Sequence, residues 1–141
     1  MAQEIVRPET ADPTQVASLT LAYVGDSVYE LIIRTIALER HNGKANELNS
    51  FAKKYSNAQA QARLAELIQE KMTEAELAVY KRGRNAKSPS APHTCTISEY
   101  RRATGLEALC AYLYLKGDMA REFEVVCIGL EKDERGSMPE T

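Results

Sequence analysis

The chain of 141 residues has no tryptophan, two phenylalanines and two histidines. His41 and His93 stand alone, neither with a partner one helical turn away, which leaves little room for histidine catalysis or a histidine-based metal site. The three cysteines, Cys95, Cys110 and Cys127, are odd in number and widely spaced. They form no CxxC pair and no disulfide framework, so a reducing cytoplasm is the expected setting. Fully apolar runs last only a few residues, too short to span a membrane. The start, MAQEIVRPETADP, has no basic segment leading into an apolar core, which argues against a secretory signal. There is no HExxH, P-loop or GxSxG motif. Charge is nearly balanced, at −2, so binding of nucleic acid by bulk positive charge is excluded; a local basic cluster would have to do it.

What is there is a soluble composition: 44% apolar and 27% charged, enough for one domain with a single core. Residues 1–11 read as a flexible lead-in, 12–130 as the domain, and 131–141 as a flexible polar tail. Asp12-Pro13-Thr14-Gln15 reads as a helix start, with Asp12 as N-cap, Pro13 at the first helical position and Gln15 three after the cap. Helical pattern runs from Pro13 to about Arg40, with a candidate break near Tyr23, and His41-Asn42-Gly43 ends it. A second stretch runs from Lys44 to about Lys71, broken at Tyr55-Ser56-Asn57. Ala58, Ala60, Ala62 and Ala65 allow close helix approach there. Thr73-Glu74-Ala75-Glu76 and Thr96-Ile97-Ser98-Glu99 are capping boxes opening two further helices. Between them, Ser88 to Pro92 reads as a loop. Lys116-Gly117-Asp118 closes the second of these helices, and Met119 to about Gly129 forms the last. No alternating β pattern and no repeat appears, so the fold class is all-α.

Two stretches break the rules of packing. Leu19 to Arg34, LTLAYVGDSVYELIIR, is apolar almost all round, as a helix buried on every side would be. Yet Gly25-Asp26-Ser27 sits in its middle. A glycine there costs roughly 1 kcal/mol relative to alanine, and a buried carboxylate costs more unless it is paired or holds a metal. Asp26, Glu30 and Arg34 follow at i, i+4 and i+8. The helix after Thr96 repeats the oddity, with Glu107 inside a run of small and apolar residues, Ala103 to Ala111. If the two helices cross at their Gly/Ala-rich middles, Asp26 and Glu107 meet. Such a pair, with Glu30 nearby as a further ligand, suits Mg²⁺, which prefers oxygen and takes few protein carboxylates. The plainer alternative is structural ion pairing, Asp26 with Arg34 and Glu107 with Arg101 or Arg102.

Lys81, Arg82, Arg84, Asn85 and Lys87 form a basic segment suited to a phosphate backbone. It also reads as an ordinary helix C-terminus, where cations are favoured. Lys53-Lys54 is a smaller basic pair, a second RNA-binding candidate or plain surface.

The motif LAYVGDSVYE resembles the catalytic signature of the ribonuclease III family, in which Gly-Asp-Ser/Ala lies in a buried helix. GLEALCAYLYLKGD resembles that family's second acidic motif. KKYSNAQAQA and KRGRNAKS, together with a chain that ends soon after the second motif, resemble the short branch, Mini-ribonuclease III, which has no double-stranded-RNA-binding domain. The likeness spans about Asp12 to Gly129. It implies the helical bundle of a ribonuclease III endonuclease domain, forming a homodimer. It also implies a Mg²⁺-dependent endoribonuclease (Mn²⁺ being the alternative metal) that cuts double-stranded RNA. In the short branch the substrate class is the precursor of large-subunit (23S) ribosomal RNA, and a ribosomal protein is a candidate further partner. Asp26 and Glu107 match the family's catalytic, metal-binding acids. Two others do not carry over: a glutamate four before the aspartate is Ala22 here, and an acid three before the second-motif glutamate is Thr104. The rival reading is a non-catalytic RNA-binding or ribosome-assembly module that kept the fold.

Overall fold

A computed structural model of the protein describes residues 12–87 and 91–136; the lead-in 1–11, the middle of the proline-containing loop (88–90) and the tail end 137–141 lie outside the described residues. The described residues are helical with no strand, in agreement with the all-α reading. The helices are α1 (Ser18–His41), α2 (Ala45–Tyr55), α3 (Ala58–Ile68), α4 (Glu74–Asn85), α5 (Ile97–Lys116) and α6 (Met119–Gly136), with one 3₁₀ turn, Gln69–Lys71, after α3.

The hub is α5, which packs on α1, α3 and α4 and more lightly on α6. Ala103 to Leu106 and Ala108 to Leu113 are all buried, which is why this helix is apolar all round. The expectation that α1 is buried on every side is corrected. Tyr29, Ile32, Ile33 and Ile36 are in the core, but Leu19, Tyr23, Leu31 and Leu38 are 42%, 81%, 58% and 55% exposed. At 100° per residue these four fall on one side of the helix. The helix is also unbroken at Tyr23.

The ends of the helices follow local chemistry. Thr73 and Thr96 both form full capping boxes, with Glu76 and Glu99 reaching back to them, and Asn57 caps α3 by accepting from the Ala60 amide at 2.9 Å. α1 starts at Ser18 rather than Pro13. The Asp12 carboxylate accepts from both the amide and the hydroxyl of Thr14 and so closes a local turn instead of capping a helix. At its other end Asn42, not Gly43, takes the left-handed position, with φ 32°. α6 runs to Gly136, past the expected end near Gly129 and into the stretch read as flexible tail, because tertiary contacts hold its last turns. Asp133 accepts from Arg63 and Tyr55, and the Lys132 ammonium donates to Leu67 O and to Glu70. Arg121 ties the start of α6 to buried Glu76 at 2.8 Å through two bonds.

Candidate active site

The site is made by one helix crossing. A Cβ placed on Gly25 would lie 1.6 Å from the backbone oxygen of Glu107 and 3.1 Å from its Cα. The backbones of α1 and α5 are therefore in contact, and no residue but glycine fits at that point of α1. Asp26, the next residue along, is brought beside Glu107, close enough for the two carboxyl groups to repel each other when both are charged. A second glycine crossing holds α5 from its other side. A Cβ on Gly105 would meet Tyr80 O at 2.7 Å, and one on Gly83 would meet Gly105 Cα at 3.0 Å. The position of Glu107 is thus set by backbone contact with α1 and α4.

Asp26 is exposed and Glu107 partly buried, and both line a groove of about 880 Å³ whose walls include Tyr23, Leu31, Tyr100 and Tyr114. Burial, and then the nearby Asp26 carboxylate, push the Glu107 carboxyl up to about 8, with the nearby Gln61 amide opposing the rise. A divalent cation bound between them would relieve the same repulsion between two carboxylates. The donor set is oxygen only, as Mg²⁺ prefers, and two carboxylates leave the coordination positions that this ion fills with water and phosphate oxygens. Among the described residues no group of three His, Cys, Asp or Glu side chains capable of holding a metal forms. Ala22 and Thr104, the two missing acids, line this same groove. The Thr104 hydroxyl donates to Tyr100 O at 2.9 Å.

Other sequence candidates go elsewhere. Glu30 accepts from Arg34 at 3.0 Å and from the Ser56 hydroxyl at 2.6 Å, so its oxygens tie α1 to the turn between α2 and α3. It does not join Asp26 and Glu107 in a three-ligand cluster. The plain ion-pairing alternative is not what forms: Arg34 pairs with Glu30 and Arg102 with Glu66. The basic segment divides in two. Lys81, Arg82, Asn85 and Lys87 line a hollow of about 550 Å³ against Ala17, Ser18 and Leu19 at the start of α1. The guanidinium of Arg84 lies 5.7 Å from the centre of the Tyr80 ring, on a different side of α4. Lys53 and Lys54 are exposed, Lys54 lying 5.4 Å over the Tyr55 ring.

Sequence reasoning missed two residues. Gln61 on α3 is 6% exposed and lies near enough to Glu107 to favour its charged form. Its signal was a polar side chain between Ala60 and Ala62, both buried, but Gln59 carries the same flag and instead donates to Thr94 O on the surface. Glu122 on α6 is fully buried. Its carboxylate oxygens find no oxygen or nitrogen partner; the neighbour they have is the buried Cys110 thiol. Burial pushes Glu122 up to about 8, and burial followed by Glu122 itself pushes the Cys110 thiol up.

A helical bundle with a Gly-Asp helix crossing a second acidic helix defines a class, and comparison with known proteins gives the same one. The ribonuclease III domain matches residues 19–118, and the chain belongs to the ribonuclease III family of endoribonucleases. Within that family its similarity is to Mini-ribonuclease 3. It is 42% identical to the Mini-ribonuclease 3 of Symbiobacterium thermophilum, over 89% of this chain and 97% of that one. It is 43% identical to that of Enterococcus faecalis, over 82% and 89%. A crystal structure of a Fusobacterium nucleatum protein superposes with a TM-score of 0.72 at 29% identity, over 84% of this chain and 95% of that one.

Proposed function

We propose that this chain hydrolyses phosphodiester bonds in double-stranded RNA, with Asp26 and Glu107 holding Mg²⁺, or Mn²⁺ in its place. The observation that carries the reading is the Gly25–Glu107 backbone crossing, which brings Asp26 and Glu107 together in the lining of one open groove. The exposed Asp26 faces the groove and the partly buried Glu107 anchors the pair. When bound, the ion would neutralise charge on the scissile phosphate and make a water more acidic. The residues' own work is to hold two oxygen donors at fixed separation and to release the Glu107 proton. Lys81, Arg82, Asn85 and Lys87 hold the phosphate backbone away from the scissile bond, with Arg84, Lys53 and Lys54 as further contacts.

The working unit is a homodimer. The exposed stripe of Leu19, Tyr23, Leu31 and Leu38 beside the site fits a self-complementary contact with a second copy across a two-fold axis. Each subunit would then cut one strand of a duplex. Likeness to the short branch supports the precursor of large-subunit (23S) ribosomal RNA as substrate, which a ribosomal protein would help to present. Cys95, Cys110 and Cys127 are all unpaired, which fits a cytoplasmic setting, and no helix among the described residues is long and apolar enough to cross a membrane.

The test is cleavage of a duplex RNA with and without Mg²⁺, comparing wild type with Asp26→Asn. Metal-dependent cutting that falls at least 100-fold in the variant is expected; equal cutting by the variant refutes the assignment. Ala22 and Thr104 in the groove favour one rival, a binding module without catalysis. It predicts duplex binding unaffected by chelators and no cleavage at any metal concentration.

A further inference from the structure

The hollow at the start of α1 differs in charge from two others on the surface. Its walls carry Lys81, Arg82 and Lys87 with the amide of Asn85 and the hydroxyl of Ser18, and no carboxylate lines it. None of the three cations makes an ion pair among the described residues. The hollows between α3 and α6 are compensated: Arg63 pairs with Asp133 in one and Lys132 with Glu70 in the other.

An ordinary helix C-terminus does not account for this. Cations are favoured there because they meet the last carbonyls of their own helix. Arg82 instead donates to Thr14 O at 3.2 Å, in the turn before α1, and so bridges the two walls. α1 begins at the other wall with no side-chain cap and no acid in its first turn, so no carboxylate of its own opposes the cations. Ammonium, guanidinium, amide and hydroxyl donors around one hollow suit the oxygens of a phosphate group.

The hollow's position relative to the carboxyls is fixed. Leu19 lines both the hollow and the groove that holds Asp26 and Glu107, so the two are continuous past a single side chain. Leu19 and Asp26 are seven residues apart on a helix that is unbroken from Ser18 to His41. Seven residues are two turns, which puts both on one face about 10 Å apart along the axis. The opposite wall is fixed too, because α4 meets α5 at the Gly83–Gly105 contact. A strand of duplex advances about 3.4 Å per nucleotide, so 10 Å corresponds to about three nucleotides.

We propose that the strand cut at Asp26 and Glu107 runs past Leu19 into this hollow, where Lys81, Arg82, Asn85 and Lys87 hold one of its phosphates about three nucleotides from the scissile one. Two turns of α1 set that spacing, so the hollow fixes which bond is presented to the carboxyls. This rests on the proposal that Asp26 and Glu107 cut duplex RNA.

The experiment is a charge scan of the cut strand. A duplex RNA that the wild type cuts at one mapped position is made with one neutral methylphosphonate linkage at a time, each at a 2′-deoxynucleotide. The same deoxynucleotide with an ordinary phosphate is the control. Cleavage with Mg²⁺ is timed for the full-length wild type and for Lys81→Ala/Lys87→Ala, with a thermal melt of both. Wild type should show two zones of slowing. One is at the cut. The other, about two to four nucleotides away and on one side only, should slow cleavage roughly tenfold or more. In the double variant the second zone should flatten while the first remains. Absence of a second zone at that distance, or a second zone of the same depth in the double variant, overturns the inference. If the double variant fails to fold, Lys87→Ala alone decides by the same criterion. A wild type that cuts no duplex RNA with Mg²⁺ would instead refute the proposed function itself, so the two failures are distinguishable.

Discussion

Replacing Gly25 by alanine adds one methyl group and should strongly destabilise the protein. In an isolated helix the change is favourable by about 1 kcal/mol. Here the new Cβ would sit 1.6 Å from Glu107 O, where real contacts essentially never fall below 3.0 Å. The obstacle is backbone, so no rotamer change can relieve it, and α1 and α5 must separate by more than an ångström. Extra methylenes in a well-filled core cost roughly 1–3 kcal/mol when side chains can give. A gap of 0.5–1 Å forfeits about a quarter to a half of the dispersion energy across it. That gap would open along the core's main interface, where Tyr29, Ile33, Leu106 and Leu109 are fully or almost fully buried. The net loss should be about 3 kcal/mol or more after the gain in helix propensity, a fall in Tm on the order of 10 °C. Two controls calibrate it. Gly129→Ala meets only the Ile68 and Leu64 side chains, at 3.0 and 3.2 Å, and should cost about 1 kcal/mol or less. Gly136→Ala meets nothing within 4 Å and should be neutral. The assay is thermal and urea unfolding of the three variants, with Mn²⁺ binding measured on any that fold. A Gly25→Ala protein melting within 2 °C of wild type and binding metal normally would refute the crossing as the origin of the site.

Other perturbations test other parts of the molecule. Burial raises Glu122 from 4.5 to about 8, so the folded state holds its proton more tightly than the unfolded chain does; this stability is complete below about pH 4.5 and is lost progressively up to about pH 8. The full effect is bounded by several kcal/mol, and Glu122→Leu should melt higher than wild type at pH 8 with a flatter pH dependence; a lower Tm at pH 8 would contradict this. The metal-free Glu107 carboxyl must lose its proton to bind an ion, so Mg²⁺ affinity should rise with pH up to about 8 and binding below that pH should release close to one proton. Calorimetry in buffers of different ionisation enthalpy reads this directly, and pH-independent binding between pH 6 and 9 would rule it out. Replacing Lys81, Arg82 and Lys87 together by alanine should weaken duplex RNA binding. It should also shallow the salt dependence by up to about 0.9 per lost phosphate contact, whereas Arg84→Ala, stacked on Tyr80, should change the slope less; an unchanged slope in the triple variant would sink the hollow as an RNA contact.

How far the sequence reaches can be read from individual residues. Capping boxes at Thr73 and Thr96 were legible because the chemistry of a helix start is local: one hydroxyl, one carboxylate, three residues apart. The start of α1 was not, because Asp12 has two local uses, and the choice between capping a helix and closing a turn on Thr14 is made by the packing of the residues after it. The end of α6 was not legible either. Glu131 to Gly136 is polar and carries no helical periodicity of its own. It stays helical because Arg63 and Tyr55, distant in sequence, bond to Asp133.

The site divides along the same line. Gly25 and Glu107 each broke a local rule, a glycine inside a helix and a carboxylate inside an apolar run. A broken local rule is visible without knowing the partner, and finding two of them was enough to suggest that they meet. Gln61 broke no rule: an amide in an alanine-rich helix is ordinary, and Gln59, two residues earlier, is solvent-facing. Only the angle at which α3 lies on α5 decides which of the two glutamines is buried. Glu30 shows the opposite case. It shares a helix face with Asp26 at i+4, but helix periodicity cannot see Ser56, in the turn between α2 and α3, arriving to bond one of its oxygens while Arg34 takes the other. Residues that are costly where they stand can be found in sequence; residues that are inexpensive and merely well placed need the fold.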